Sequence, residues 1–482
     1  MIQISSSKIL SNSLYKQLIV FEALIASPGW RSATSLSTEL SMSEKSVYII
    51  IKNLSMNFPF LEIFTSRNKG IKMELSTGVG MQRFYSHILE LSLECQLLEI
   101  IFFGKNNHID EVLDNLYVSE STLNRMVSRC NSALKVSGFI IIRRENRYCF
   151  SGDELAIRYF MTAYLSEKYI FEKSPFSDEL INISKDIFEL FEKYFNVKKN
   201  SYSRVLTGMS VSLVRISIES CLTTWSDELN LYNPQFQLID EELMELFKKH
   251  RMTSYFKKFR YQFISLFFTR AHSFHSIETL HTSEINAFYW IEEIVSSYQL
   301  PSELPYKKKL QLSHELGFTA QTYFGQTFFI FNNKKGFYNQ VSQEFPNFAR
   351  VALSTFVRFF EDKDSNQGLF YELFYELFQR YPNLVYEIEK KRASARIFLI
   401  IEEHSIYKEF YIRYLNSFFN NQLSIDTEKI ENKDYDLLLV VSDQNFSLSP
   451  FFLEMDTEVI VTNRLLSSED YLNIKKTLRK FL

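Results

Sequence analysis

The stretch that decides the fold runs over residues 109–150, IDEVLDNLYVSESTLNRMVSRCNSALKVSGFIIIRRENRYCF. Ile109, Val112, Leu113 and Leu116 recur at helical spacing, so a short helix with one buried face is expected. A three-residue break follows, and Ser119 stands where the N-cap of a second helix belongs. That helix buries Leu123, Met126, Val127, Cys130 and Leu134, and turns Ser121, Asn124, Arg125, Ser128, Arg129 and Asn131 outward. Two helices joined by so short a turn must cross steeply, so the second projects its polar face from the domain. Residues 140–143 and 147–150 read as a small hairpin with Arg143, Arg144 and Arg147 at its tip. A helix-turn-helix followed by a basic hairpin is a winged helix, a shape that fits DNA.

The same pattern occurs 76 positions earlier, where residues 40–47 (LSMSEKSV) align with residues 116–123 (LYVSESTL). Leu36 then matches Val112, Leu54 matches Cys130 and Phe58 matches Leu134. Residues 62–75 form the corresponding hairpin, with Arg67, Lys69 and Lys72 around Gly70. One such match is weak in a helical protein, whereas two tandem copies, each with a basic wing, are hard to obtain by accident. The plainer alternative is a pair of three-helix units that merely pack together.

At 482 residues the chain is long enough for three or four domains. Twelve Gly and nine Pro are too few for a sandwich, a barrel or long linkers, so helices joined by short connections are expected. Cys95, Cys130, Cys149 and Cys221 sit in apolar patterns without paired metal spacing and read as reduced core thiols of a cytoplasmic protein. No stretch has the apolar length of a membrane span, and the polar residues 5–13 do not read as a signal peptide. The net charge of −3 hides an asymmetry. Residues 1–150 carry 16 of the 54 Lys and Arg and 13 of the 57 Asp and Glu, a balance of +3, leaving 38 against 44, or −6, for the rest. Because phosphate contacts scale with the cations engaged, a balance of +3 makes local placement decisive.

The phrases LYVSESTLNRMVSRCNSALK (116–135) and GDELAIRYFMTAYL (152–165), behind two winged helices, resemble the Mga/AtxA family of global (virulence) transcriptional regulators of Gram-positive bacteria. The resemblance implies a mainly α, multidomain fold. Its parts would be a first winged helix at 1–80, a second and main DNA-binding one at 81–170, and two helical-bundle domains at 174–285 and 286–390. These bundles would resemble phosphotransferase-regulation (PRD) domains, with a terminal α/β domain at 393–482 resembling enzyme IIB. From the residues themselves, 153–390 is almost continuously helical in pattern. Helices are expected at 154–170, 177–195, 203–223, 239–250, 253–271, 283–298, 307–331, 346–361 and 369–379. After that the period changes: strands at 396–401, 423–428, 437–441 and 459–461 alternate with helices at 404–419 and 468–481, which suggests a small parallel α/β domain.

In phosphotransferase-controlled domains a histidine accepts phosphate, since a neutral imidazole is nucleophilic near pH 7 and the added charge can shift an interface. The stretch where such a histidine is expected reads Leu206-Thr207-Gly208-Met209 before Arg215 and has none. His272, His275, His281 and His314 are the remaining candidates by position, each also readable as an ordinary surface or core-edge histidine. An enzyme IIB domain transfers phosphate through a cysteine just after its first strand. Here the loop reads Glu402-Glu403-His404-Ser405, with no cysteine and two carboxylates, so the fold is expected without the transfer. No P-loop, dinucleotide fingerprint or zincin-type histidine pair is present, and no enzyme, cofactor or metal site is expected.

The expected function is a cytoplasmic, oligomeric transcriptional regulator that binds promoter DNA. Its recognition helices would lie at 44–57 and 120–135. The candidate contacts are Lys45, Tyr48 and Lys52, with Arg67, Lys69 and Lys72 on the first wing. In the second unit they are Ser121, Asn124, Arg125 and Arg129, with Arg143, Arg144 and Arg147 on the wing. So few outward Arg and Asn favour reading of DNA bend or groove width over base edges. The resemblance adds the phosphotransferase phosphocarrier protein as a partner and sugar transport as a signal. The alternatives are a phosphotransferase-related signalling component and an interaction scaffold with degenerate helix-turn-helix units.

Overall fold

A computed structural model of the chain describes all residues except 1–5, 27–28, 105–106, 195–201, 219–235, 257–279, 299–303, 322, 324–327, 361–366, 391–394, 402–404, 420–422, 429–433, 442–456, 463–465 and 479–482. The chain is mainly helical, with a small parallel sheet near its C-terminus. It divides into two compact units. The first comprises Met1–His275, Gly317–Lys335 and Ser365–Leu369; the second comprises Ser276–Leu316, Gly336–Asp364 and Phe370–Leu482.

The first unit begins with α1 (Asn12–Ile25), capped by the Ser11 hydroxyl, then α2 (Ala33–Glu39) and α3 (Glu44–Asn57). An antiparallel hairpin follows, β1 (Leu61–Ser66) with β2 (Gly70–Leu75). Two helices follow, α4 (Met81–Leu91) and α5 (Leu93–Phe103). Ser92 makes the break: its backbone is extended, and its buried hydroxyl accepts the Cys95 N–H at 3.3 Å as the N-cap of α5. The second hairpin unit consists of α6 (Ile109–Leu116), α7 (Glu120–Leu134), β3 (Phe139–Arg144) and β4 (Arg147–Gly152). Phe21, Phe58 and Phe84 seal α1, the end of α3 and α4 together, with Phe21 stacked on Phe84 at 3.5 Å between centroids. Burial of such rings is the main stabilising term of this core.

α8 (Glu154–Lys168), α9 (Asp178–Tyr194), α10 (Tyr202–Ser217) and α11 (Phe236–Lys249) follow in the first unit. The helix expected at 253–271 lies mostly outside the described residues, which show a short 3-10 turn at Thr253–Tyr255. Where one helix was expected at 307–331, α13 (Tyr306–Gln321) stops early and α14 (Asn333–Glu344) starts afresh. The intervening Phe329, Ile330 and Phe331 give their N–H groups to the buried Glu167 carboxylate of α8 at 2.8–3.1 Å, and those donors are lost to a helix.

In the second unit α12 (Thr282–Ser297) packs on α15 (Pro346–Phe359), with the indole N–H of fully buried Trp290 donating to the Ala352 carbonyl at 3.0 Å. α16 (Gln367–Arg380) and α17 (Leu384–Lys390) follow. The aromatic run of α16 is core: Phe370 and Phe374 are buried and meet Tyr338 edge-on. The terminal sheet has the order β6-β5-β7-β8, all parallel: β5 (Ala395–Ile401), β6 (Leu423–Asp426), β7 (Leu437–Val441) and β8 (Val459–Thr462). α18 (Ser405–Phe418) and α19 (Ser468–Leu478) supply apolar side chains to one face, while Phe398, Tyr435, Leu438 and Val440 cluster on the other. β7 is buried along its whole length, as a central parallel strand must be.

Candidate nucleic-acid interface

The 76-residue repeat is also a repeat of backbone geometry. The turn between α2 and α3 places Ser41 in the left-handed region at φ 52°, and the turn between α6 and α7 does the same to Tyr117. Met42 N–H bonds the Ser37 carbonyl at 3.0 Å, and Val118 N–H bonds that of Leu113 at 3.2 Å. Ser43 and Ser119 then cap α3 and α7 through the N–H groups of Ser46 (3.2 Å) and Thr122 (3.3 Å). In both units the residue ahead of the helix pair joins the wing as a third edge, Arg31 bridging Ile71 and His108 bridging Arg147. Gly70 is obligatory to the first bridge: its φ is +96°, and a Cβ there would overlap the Arg31 carbonyl. The sequence alignment missed these bridges because backbone pairing has no side-chain signature.

On α3, Lys45, Tyr48 and Lys52 are exposed, and Arg67 and Lys69 project from the hairpin tip. The Lys69 ammonium lies 6.0 Å from the Trp30 ring centroid. Lys72 is partly buried and paired with Glu74 at 2.7 Å, so much of its charge is already answered. On α7, Ser121, Asn124 and Arg125 are exposed, and Arg125 leans back on the Ser121 carbonyl and Thr122 hydroxyl at 3.4 Å. At the second wing Arg143, Arg144 and Arg147 are exposed. Arg143 reaches Asn146 at 2.6 Å and Glu120 at 3.7 Å, while Arg144 and Arg147 form no ion pair among the described residues. The wing turns through Glu145 and Asn146, both at positive φ (47° and 63°), the mirror-image turn whose twist suits a two-residue hairpin.

Two residues of α7 differ from the sequence reading. Arg129 does not simply face outward: it is paired with the Glu94 carboxylate of α5, itself only 3% exposed and also bonded by the Ser92 hydroxyl at 3.1 Å. A buried carboxylate needs a cation, and Arg129 supplies it. Asn131 accepts the Ile141 N–H at 2.7 Å and donates to its carbonyl at 2.9 Å, fastening α7 to β3 by satisfying an edge strand. Neither partner is near in sequence, so periodicity alone left both side chains facing solvent.

The remaining candidates lie elsewhere. His272, His275, Cys221 and the Glu402-Glu403-His404 loop fall outside the described residues. His281 precedes α12, and its backbone N–H donates to Glu284 at 2.7 Å. His314 of α13 is buried, its Nδ1 2.7 Å from the other oxygen of the same carboxylate. Burial pushes the Cys95 thiol up to about 12 and raises that of Cys130 further, so both are core thiols rather than nucleophiles at neutral pH. Among the described residues no helix is long and apolar enough to cross a membrane, and no His, Cys, Asp and Glu cluster is arranged to hold a metal.

Residues 78–165, spanning α4 to most of α8, match the Mga helix-turn-helix domain. The chain is 22% identical over 484 aligned residues to a putative trans-acting regulator of Streptococcus pneumoniae, covering 92% of this chain and 93% of the relative. It is 20% identical over 210 residues, 43% of each chain, to the capsule synthesis positive regulator AcpA of Bacillus anthracis. The chain carries an Mga helix-turn-helix domain, and its relatives are named as regulators, which supports its place in the Mga/AtxA-like family.

Proposed function

We propose that the protein is a cytoplasmic, DNA-binding transcriptional regulator of the Mga/AtxA type. α3 and α7 enter successive major grooves and the two hairpins touch phosphate. The observation that carries this is the tandem geometry: two helix pairs with the same capped turn, each continued by a hairpin whose tip is cationic. Within each unit the turn and the wing bridge hold the outer helix face and the hairpin tip in one fixed relation. Arg125, Arg144, Arg147, Lys45, Lys52, Arg67 and Lys69 are the phosphate contacts. Ser121, Asn124 and Tyr48 are their polar neighbours. With so few forked side chains free for base edges, recognition leans on DNA bend and groove width.

In the same reading the chain has five domains, at 1–80, 81–170, 174–285, 286–390 and 393–482. The two helical domains are PRD-like and carry regulation, answering phosphotransferase signals through histidines of the second unit and of the segment preceding it. The terminal domain is IIB-like, an arrangement its all-parallel four-stranded sheet supports, and it serves self-association.

The test is a gel-shift titration of the full chain on duplexes of differing curvature, repeated across salt. Each phosphate contact contributes about 0.9 to the slope of log affinity against log salt. Changing Arg125, Arg144 and Arg147 to Ala is therefore expected to reduce that slope by about 2.7. An unchanged slope and affinity refutes the interface; absence of binding at low salt favours an interaction scaffold.

A further inference from the structure

The two outer helices are alike in backbone and unlike in chemistry. On α3 the positions 45, 49, 52 and 56 fall within an arc of roughly 60° on the helix surface. They carry Lys, Ile, Lys and Met. The register that superposes Ser43 on Ser119 puts Ser121, Arg125, Ser128 and Ser132 at the equivalent places on α7. Ile49 is 52% exposed and Met56 is 69% exposed, with Tyr48 beside them at 51%. These are large apolar groups held on the outer face of a helix whose opposite face, Val47, Ile50, Ile51 and Leu54, already fills the core. Stability does not require them there.

An exposed apolar stripe needs an occupant, and its flanks say which kind. Lys45 and Lys52 alternate with the apolar groups, and Arg67 and Lys69 stand on the adjoining wing, so the surface complements an anion with an apolar element set into it. The major groove offers that combination where thymine is present, since the thymine 5-methyl is the apolar group on a base edge there. A hydrophobic groove on a protein would leave the two lysines unanswered.

We infer that α3 reads thymine: Ile49 and Met56 cover 5-methyl groups of T·A pairs in the major groove, while Lys45 and Lys52 hold the phosphates on either side. The two units then divide recognition, the first selecting A·T-rich sequence by apolar contact and the second anchoring through Arg125 and its wing. This rests on the reading of both units as DNA-binding, and the test separates the two.

Affinity of the full chain is measured by fluorescence anisotropy on an A·T-rich duplex and on the same duplex with deoxyuridine for every thymidine, which removes only the methyl groups. Burying one methyl-sized group corresponds to about a fourfold change in affinity. The uracil duplex is therefore expected to bind about fifteenfold more weakly if both side chains are engaged. The Ile49→Ala/Met56→Ala variant, altered only at sites more than half exposed, should bind both duplexes alike. In a second arm, 5-bromodeoxyuridine replaces thymidine and irradiation links it to the side chain it touches; peptide 44–57 is the expected product. Equal binding of the two duplexes by the unaltered protein overturns the inference and leaves DNA binding intact. A uracil penalty that persists in the variant, or cross-links confined to α7, shows that other residues read the methyls and likewise overturns it. A variant that changes oligomeric state with no change on DNA makes the stripe a protein interface. No binding to either duplex removes the DNA-binding reading itself.

Discussion

Arg129 is the residue at which a DNA contact and a structural contact must be told apart, and Arg129→Ala separates them. The Glu94 carboxylate is 3% exposed and has two partners, the Arg129 guanidinium of α7 and the hydroxyl of Ser92, the N-cap of α5. Removing the cation leaves a buried charge with one neutral donor, a change that costs about 3–5 kcal/mol when the site is sealed. The Arg129 side chain is 37% exposed, so water enters the vacated space, and roughly 2 kcal/mol is the better figure. Amide exchange of α7, followed by mass spectrometry on the full chain, should then speed up about thirtyfold at pH 7. Glu94→Gln in the same background removes the stranded charge and should restore most of the protection. If exchange in Arg129→Ala matches the unaltered protein while DNA affinity falls, Arg129 is a DNA contact and the pairing with Glu94 is not what holds α7.

Three further outcomes follow from the backbone and from one carboxylate. Glu145→Gly relieves a side chain held at φ 47° in the second wing and should raise hairpin protection by roughly 0.5–1 kcal/mol in amide exchange; lower protection would contradict the mirror-image turn. Gly70→Ala should lower the melting temperature of the first transition far more than Gly78→Ala. Both have positive φ, but only Gly70 has the Arg31 carbonyl in the way, so equal effects would deny the wing bridge. Burial pushes the Glu167 carboxyl up to about 7, against the opposing pull of the Phe331, Phe329 and Ile330 N–H groups. Its native state therefore holds a proton that the unfolded chain releases near 4.5, and stability from this group declines as pH rises from about 4.5 to 7 and is flat above. Glu167→Gln should gain on the unaltered protein across that window, by about 3 kcal/mol at most, and parallel pH profiles would show that the carboxyl does not titrate there.

The helix pairs and wings were legible because they are made of local rules. The serine caps, the spacing of Val112, Leu116, Leu123 and Met126, and the charged hairpin tips all lie within a few residues of the structure they specify. The terminal strands were legible for the same reason, since β7 is a short unbroken apolar run of the kind a buried parallel strand needs. What escaped was set by distant partners. The pairing of Glu94 with Arg129, 35 residues on, and the hold of the Glu167 carboxylate on residues 329–331, more than 160 residues away, have no local signature. Ile49 and Met56 have no such local signal, since apolar periodicity marks the buried face of α3 and carries no information on apolar residues of the opposite face. Their meaning emerges only when α3 is laid on α7.

The same distant partners explain how α7 is held. Glu94 and Glu99 lie five residues apart on α5, a rotation of about 140° on the helix surface, so they point to different neighbours. Glu94 takes Arg129 of α7, while Glu99 takes Tyr164, Lys168 and Tyr169 in and just after α8. One turn of α5 thus ties the helix proposed to enter DNA to the helix that follows its wing. α8 in turn binds Phe329, Ile330 and Phe331 through Glu167, and Phe329 packs edge-on against Phe160 and Tyr164. Phe331 also stacks on Tyr85 of α4, the helix that seals the first wing's core, at 4.5 Å. Contacts thus run without a break from residues 329–331 through Glu167 and α8 to Glu99 of α5, and from Glu94 of the same helix to Arg129 of α7.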